Sequence, residues 1–232
     1  MKKPLAILSI ISILIVCLCA CGTPKASPIE DFEYEFEDGV TIITKYIGSD
    51  LDIVIPSEIE NRPVTIIADE AFENYDLKSV VVPEGVIEIE EGAFNDCECL
   101  ESITLPDTLT ECSYKEFSDT LWYESQPENT ILYINNIVIG YKGNLPNDIK
   151  IKDGTKTILD KALLSEYSIT GKIHIPNSVE HLGYASIGFF DKPTENPKFS
   201  VITPMDSYEV YCKEGSVAYE YAIENELAYV LE

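Results

Sequence analysis

Positive charge is scarce in this sequence. Sixteen Lys and Arg stand against 41 Asp and Glu, a formal net charge of -25 over 232 residues. Without residues 1–20, 14 basic and 41 acidic side chains remain, a net of -27 over 212 residues. Such a chain lacks the cations that neutralise phosphates, which excludes nucleic acid as a partner. Anionic lipid headgroups repel it as well. Histidine occurs only at His174 and His181, so imidazole could supply two metal ligands at most. The closest cysteine pair, Cys97-x-Cys99, lacks the C-x₂-C spacing of a zinc site. There is no Gly-rich phosphate loop, no Ser-His-Asp set, no G-x-S-x-G elbow and no D-x-D-x-D-G calcium loop. The expectation is no enzyme, no cofactor and no metal.

Apolar residues are not scarce. At 45% apolar and 10% aromatic the chain can bury a core. Its beginning is an address. Lys2 and Lys3 precede an apolar run from Leu5 to Cys21, broken only by Ser9 and Ser12. That is a positive n-region followed by an h-region of signal-peptide type. The run ends Leu18-Cys19-Ala20-Cys21-Gly22, which resembles a bacterial lipobox: a Leu three residues before the modified Cys and a small residue just before it. The resemblance implies lipidation of Cys21, removal of residues 1–20, and attachment to the extracytoplasmic face of a bacterial membrane. Stable anchoring needs more than one acyl chain, which lipoprotein maturation supplies. Residues 21–31, polar and Pro-containing, read as a tether.

The body repeats itself. IADEAFENYDLKSVVVP is followed by IEEGAFNDCECLESITLP. Phe72 and Phe94 are 22 residues apart, and Phe117 follows 23 later; Pro83 and Pro106 are 23 apart. Ile67, Ile89 and Cys112 each stand five residues before one of those phenylalanines, as Ile158 does before Leu163 and Leu182 before Ile187. From Cys112 to Ile158 is 46 residues, so the phase survives a middle stretch that is itself unlike the repeat. The unit reads L-x-S-I-x-I-P-x-x-V-x-x-I-x-x-x-A-F-x-x-C. LESITLP alternates as a strand and Pro106 stops it, while the Ala-Phe segment is a turn too short for an independent helix. One unit cannot bury its apolar side alone; stacked units can.

This pattern resembles the BspA-like (Treponema pallidum-type) leucine-rich repeats of bacterial surface proteins. The resemblance implies a mostly β leucine-rich-repeat solenoid: parallel strands stacked at a period of about 23 residues, with short helical turns between them. It also implies an interaction or adhesion module whose partner is an extracellular protein or a glycan. The organisation that follows is a cap hairpin at 32–50, repeats over 51–200 and a C-terminal cap over 201–232. Ile131–Ile134 and Ile137–Tyr141 flank Asn135-Asn136, which reads as a β-hairpin inserted near 122–145. Trp122 is read as a plug between that hairpin and the third repeat, the other reading being a sugar-stacking platform. Ser216 is the expected N-cap of a short helix that closes the core, with Val217, Ala218, Tyr221, Ala222 and Asn225 sharing helical spacing. Departures from the pattern are Leu163 and Ile187 in the Phe position and Lys152 in the Pro position. A solute-binding lipoprotein of a transporter is the alternative function, but it needs two α/β lobes rather than repeats.

The same alternation nominates a binding face. It turns Ile103, Leu105, Ile173 and Ile175 inward. It turns Val81, Thr104, Lys150 and His174 outward on successive strands, with Ser79, Ser102, Asp148 and Lys172 as a second outward row. In-register neighbours on a parallel sheet lie about 4.8 Å apart, so these eight residues are expected on one continuous surface. Cys97 and Cys112 fall on core positions and read as buried thiols. Export permits a disulfide, and spacing selects no pairing among Cys97, Cys99, Cys112 and Cys212.

Overall fold

Each unit places its apolar residues on three short pieces of backbone. The computed structural model describes residues 25–113, 116–194 and 200–232; residues 1–20 and Cys21 lie outside them. The first piece is a strand of three or four residues: Asp52–Val54, Ser79–Val81, Ser102–Thr104, Asp148–Lys150 and Gly171–His174. Two residues beyond four of these stands Pro56, Pro83, Pro106 or Pro176. Proline has no N–H to give, so the ladder stops there. The strands stack in parallel and in register, Val80 on Ile53 and Ile103, and Ile149 on Ile173. Their central residues are buried and their flanking residues face outward.

The second piece forms a second row. Ile43, Ile67, Ile89 and Cys112 are successive parallel partners, and so are Val138, Ile158 and Leu182. The third piece is the Ala-Phe turn. Its rings stack along the solenoid axis: Tyr46 on Phe72 at 5.9 Å, Phe72 on Phe94 at 4.9 Å and 2°, Phe94 on Phe117 at 5.6 Å. Leu163 and Ile187 continue that column as buried residues. Backbone bonds tie turn to turn, with Phe72 N–H donating to Ala93 O at 2.8 Å and Leu163 N–H to Ser186 O at 3.0 Å.

The third turn breaks this rule in an instructive way. Glu116 stands where other units have Ala71, Ala93 and Ala162, and it is buried like them. Its carboxylate, not a backbone carbonyl, accepts from Phe94 N at 2.6 Å and from Gly92 N at 3.0 Å. Burial pushes its pKa above the ordinary carboxylate range, and the two backbone N–H groups partly offset that.

The inserted hairpin is present, Thr130–Ile134 with Ile137–Lys142, and Asn135 takes the turn's positive φ of 51°. It is clamped to the third repeat. Asn135 Nδ2 donates to Leu105 O at 2.6 Å, Asn136 Nδ2 to Asp107 Oδ1 at 3.3 Å, and Trp122 N to Leu100 O at 2.7 Å. Trp122 itself is half-buried against the core. The fourth repeat holds the hairpin from the other side. In the proline position, Lys152 keeps an N–H and donates it to Tyr133 Oη at 3.3 Å, with its ammonium 3.9 Å from the Tyr133 ring.

The insert also corrects an expectation. The first row is not continuous: Asp52–Val54, Ser79–Val81 and Ser102–Thr104 form a three-stranded sheet, and Asp148–Lys150 opens a separate four-stranded one. The stretch that would have supplied a strand between them instead makes the short helix Leu121–Glu124 and the hairpin. In the second row the missing member is Val138, 26 residues after Cys112 and 20 before Ile158.

At the N-terminal end, Phe32–Glu37 pairs antiparallel with Val40–Tyr46 through Asp38-Gly39, both at positive φ. At the other end Tyr208–Cys212 and Ala228–Leu231 extend the four-stranded sheet. The helix Val217–Glu224 is capped by Ser216 Oγ, which accepts from Tyr219 N at 3.2 Å. It buries Ala218, Tyr221 and Ala222. Val217 is exposed instead, and Asn225 is the C-cap, because the first helical residue still lies outside the packed stripe. Cys97, Cys99, Cys112 and Cys212 are all free thiols. Burial raises the Cys97 thiol to about 12 and Cys112 well above its ordinary value, so both are inert.

Candidate functional site

The eight nominated residues all face outward, but the insert divides them. Ser79, Val81, Ser102 and Thr104 lie on the three-stranded sheet, Asp148, Lys150, Lys172 and His174 on the four-stranded one. The first group is chemically quiet. Ser79 Oγ donates to Asp52 Oδ1 at 2.6 Å, Val81 is half-buried, and Ser102 and Thr104 are exposed hydroxyls.

The second group is a connected polar face. Asp148 pairs across the ladder with Lys172, and Lys150 with His174. Lys172 Nζ lies 3.3 Å from Asp148 Oδ2. The His174 ring packs on Tyr211 at 4.5 Å, and its Nδ1 lies 3.1 and 3.2 Å from the two carboxylate oxygens of Glu232. Its Nε2 is 3.8 Å from Asp148 Oδ1, too far for a hydrogen bond, and has no other partner among the described residues. Tyr211 Oη donates to Glu209 at 3.2 Å; that bond, with burial and the Glu209 charge, raises its pKa. Lys150 is exposed and makes no ion pair among the described residues. Half-exposed pairs of this kind contribute at most about 1 kcal/mol each to stability. Their use is to hold side chains in fixed positions on a sheet whose inner side is core.

Reading the strand row from 79 to 174 missed Glu209, Tyr211 and Glu232. The alternation of Tyr208–Cys212 carries the signal for the first two, since Tyr208, Val210 and Cys212 are buried and the residues between are not. Glu232 is 58 residues from His174, and no local pattern announces that contact. Among the described residues no group of three or more His, Cys, Asp and Glu is arranged to hold a metal ion. None of their helices is long and apolar enough to cross a membrane.

Six copies of a repeat described as the BspA type leucine rich repeat region match residues 65–190, more than half of the chain. The chain belongs to the BspA-type leucine-rich repeat family. Its BspA-type repeats are similar to those of several solved bacterial proteins. The T. pallidum leucine rich repeat protein TpLRR is 27% identical, with 70% of this chain and 66% of that one covered and a TM-score of 0.45. A leucine rich cell surface protein of Faecalibacterium prausnitzii is 19% identical, with 80% and 62% covered and a TM-score of 0.40. A leucine-rich repeat protein of Bacteroides capillosus is 21% identical, with 68% and 92% covered and a TM-score of 0.36. The chain thus spans less than two thirds of the first two. A search of curated proteins returned no match.

Proposed function

We propose that this BspA-type repeat protein is a lipid-anchored, non-enzymatic protein of the bacterial surface that binds an extracellular protein or glycan through the outward face of its first strand row. The observation that carries the reading is the connected face of Asp148, Lys150, Lys172, His174, Glu209 and Tyr211. It is polar, partly aromatic and fixed on a sheet whose other side is core. Rigid positioning of adaptable polar groups lowers the ordering cost of recognition. One similar solved protein is described as a cell surface protein. The anchor rests on Leu18-Cys19-Ala20-Cys21.

Capture from host and cell-wall extracts, with wild type and the double variant Thr104→Arg/Lys150→Glu, tests the face. Wild type retains a partner that the double variant loses at unchanged melting temperature. Retention by the variant moves recognition off this face, and the 122–145 insert is the next place to examine. Cys21→Ser tests the anchor: it leaves the precursor uncleaved and unlabelled by a fatty-acid probe. Labelling that persists in this variant defeats the assignment and points to Cys19.

A further inference from the structure

On another flank, where the inserted hairpin meets the turn after Leu163, the described residues enclose a groove of about 570 Å³. That is within the range of about 300–1,000 Å³ typical of small-ligand clefts. Three tyrosines line it, from three different segments: Tyr123 from the short helix, Tyr141 from the hairpin and Tyr167 from the loop beyond the fourth repeat's turn. Asn144, Glu166 and Asp191 supply polar groups between them.

The groove is built before any ligand arrives. Tyr141 Oη donates to Leu164 O at 3.1 Å. The buried ammonium of Lys142 donates to Tyr123 O and Glu124 O at 3.1 Å each and lies 4.9 Å from the Tyr123 ring. A parallel bridge between Ser165 and Phe190, with Asp191 N donating to Ser165 O at 2.8 Å, fixes the floor. Two features stay unanswered. Tyr167 is the most exposed large ring or aliphatic side chain of the described residues, at 71%. Asp191 Oδ1 is cut off from solvent and accepts no hydrogen bond among the described residues. Water does not reach that oxygen and neither does a ligand hydroxyl, so Asp191 meets the groove through its other carboxylate oxygen.

Charge narrows the ligand. Two carboxylates and no Lys or Arg among the described lining residues disfavour an anion. A cation finds one aromatic face already taken, because Lys142, itself 3.8 Å from Glu128 Oε1, lies over the Tyr123 ring. A neutral polyhydroxylated ring suits what is left. Its C–H face covers a tyrosine, and its hydroxyls donate to Asp191 and Glu166 and exchange bonds with Asn144. We infer that this groove binds a short neutral oligosaccharide. The inference does not depend on the strand-row reading, since it uses none of the same residues.

Calorimetric titration of the full chain with maltotriose, cellotriose and chitotriose tests it. At least one trisaccharide binds saturably. Tyr167→Ala weakens that binding about tenfold, the loss of one aromatic contact, with the melting temperature unchanged. Asp191→Asn, which removes the carboxylate charge without changing the side chain's size, weakens it as well. Absence of saturable heat with all three sugars overturns the inference. So does sugar binding that both variants leave intact, or a groove that takes choline in place of every sugar. The readout is sugar binding rather than partner capture, so failure here leaves the strand-row proposal standing.

Discussion

Before the insert the interior is a column of stacked rings; after it, the column is aliphatic. Tyr46, Phe72, Phe94 and Phe117 lie ring against ring, and Leu163 and Ile187 take over beyond them. The surfaces change at the same boundary. Residues 21–129 hold 27 acidic and 5 basic side chains, residues 130–232 hold 14 and 9. The outward strand face goes from hydroxyls and Val81 to a linked set of ion pairs and rings. Regularity and chemistry are therefore separated along one solenoid. The half that obeys the repeat most closely has the plainest face, and the half that departs from it carries the polar cluster. Departure from the repeat is where the chain acquires contacts that the repeat does not need, as Lys152 shows.

The largest expected effect tests the ring column. Phe94→Ala should cost about 3–5 kcal/mol, and Leu163→Ala about 2–5 kcal/mol with less loss of ring contact. Chemical denaturation measures both. A Phe94 variant with an unshifted midpoint would mean that the column does not hold the first half together.

Next is the buried carboxylate that replaces an alanine. Glu116→Gln keeps one acceptor for two N–H groups, so it should cost about 1–3 kcal/mol near neutral pH. Its pH dependence has a definite sign. Burial raises the folded-state pKa of Glu116, and of Glu88 beside Glu111 and Glu90, so the folded chain binds more protons than the unfolded one between the ordinary and the raised value. On this account stability falls as pH rises through the raised values, and lowering the pH from neutral restores it. Denaturation midpoints across that interval should show a shallower slope for Glu116→Gln; an equal slope would move the titration elsewhere.

A smaller effect probes the seam between the halves. Tyr133→Phe removes the acceptor of the Lys152 N–H and should cost about 0.5–1.5 kcal/mol. In a Lys152→Pro background, where no N–H remains, the same change should cost nearly nothing. A double-mutant cycle reads the difference, and additivity would show that the bond carries no weight. Smallest for stability is Thr104→Arg/Lys150→Glu. These exposed positions should move stability by no more than about 0.5 kcal/mol while partner capture is lost.

Much of the solenoid was legible because its signals are local. Phe72, Phe94, Leu163 and Ile187 are buried where their spacing puts them, Asn135 turns the hairpin, and Ser216 caps the helix. The outward direction of Ser79, Val81, Ser102, Thr104, Asp148, Lys150, Lys172 and His174 follows from strand alternation alone. What escaped depends on segments meeting at a distance. A period of twice 23 between Cys112 and Ile158 conserves phase without revealing that the chain between them folds back as a hairpin. Glu116 looks like one more acidic surface residue until Phe94 and Gly92 are seen to donate to it. The tyrosine groove draws on three separated segments, so no window of sequence contains it.

The first strand, Phe32–Glu37, is an outer edge of its sheet, with Glu33, Glu35 and Glu37 all exposed along it. An unpaired strand is a template onto which another copy can polymerise. Two such edges brought together would set glutamate against glutamate at the strand spacing of about 4.8 Å, with Lys45 opposite Glu33 the one cation across the ladder. At this end of the solenoid, the stacking that builds the molecule is therefore opposed by charge from running on into the same edge of a neighbour.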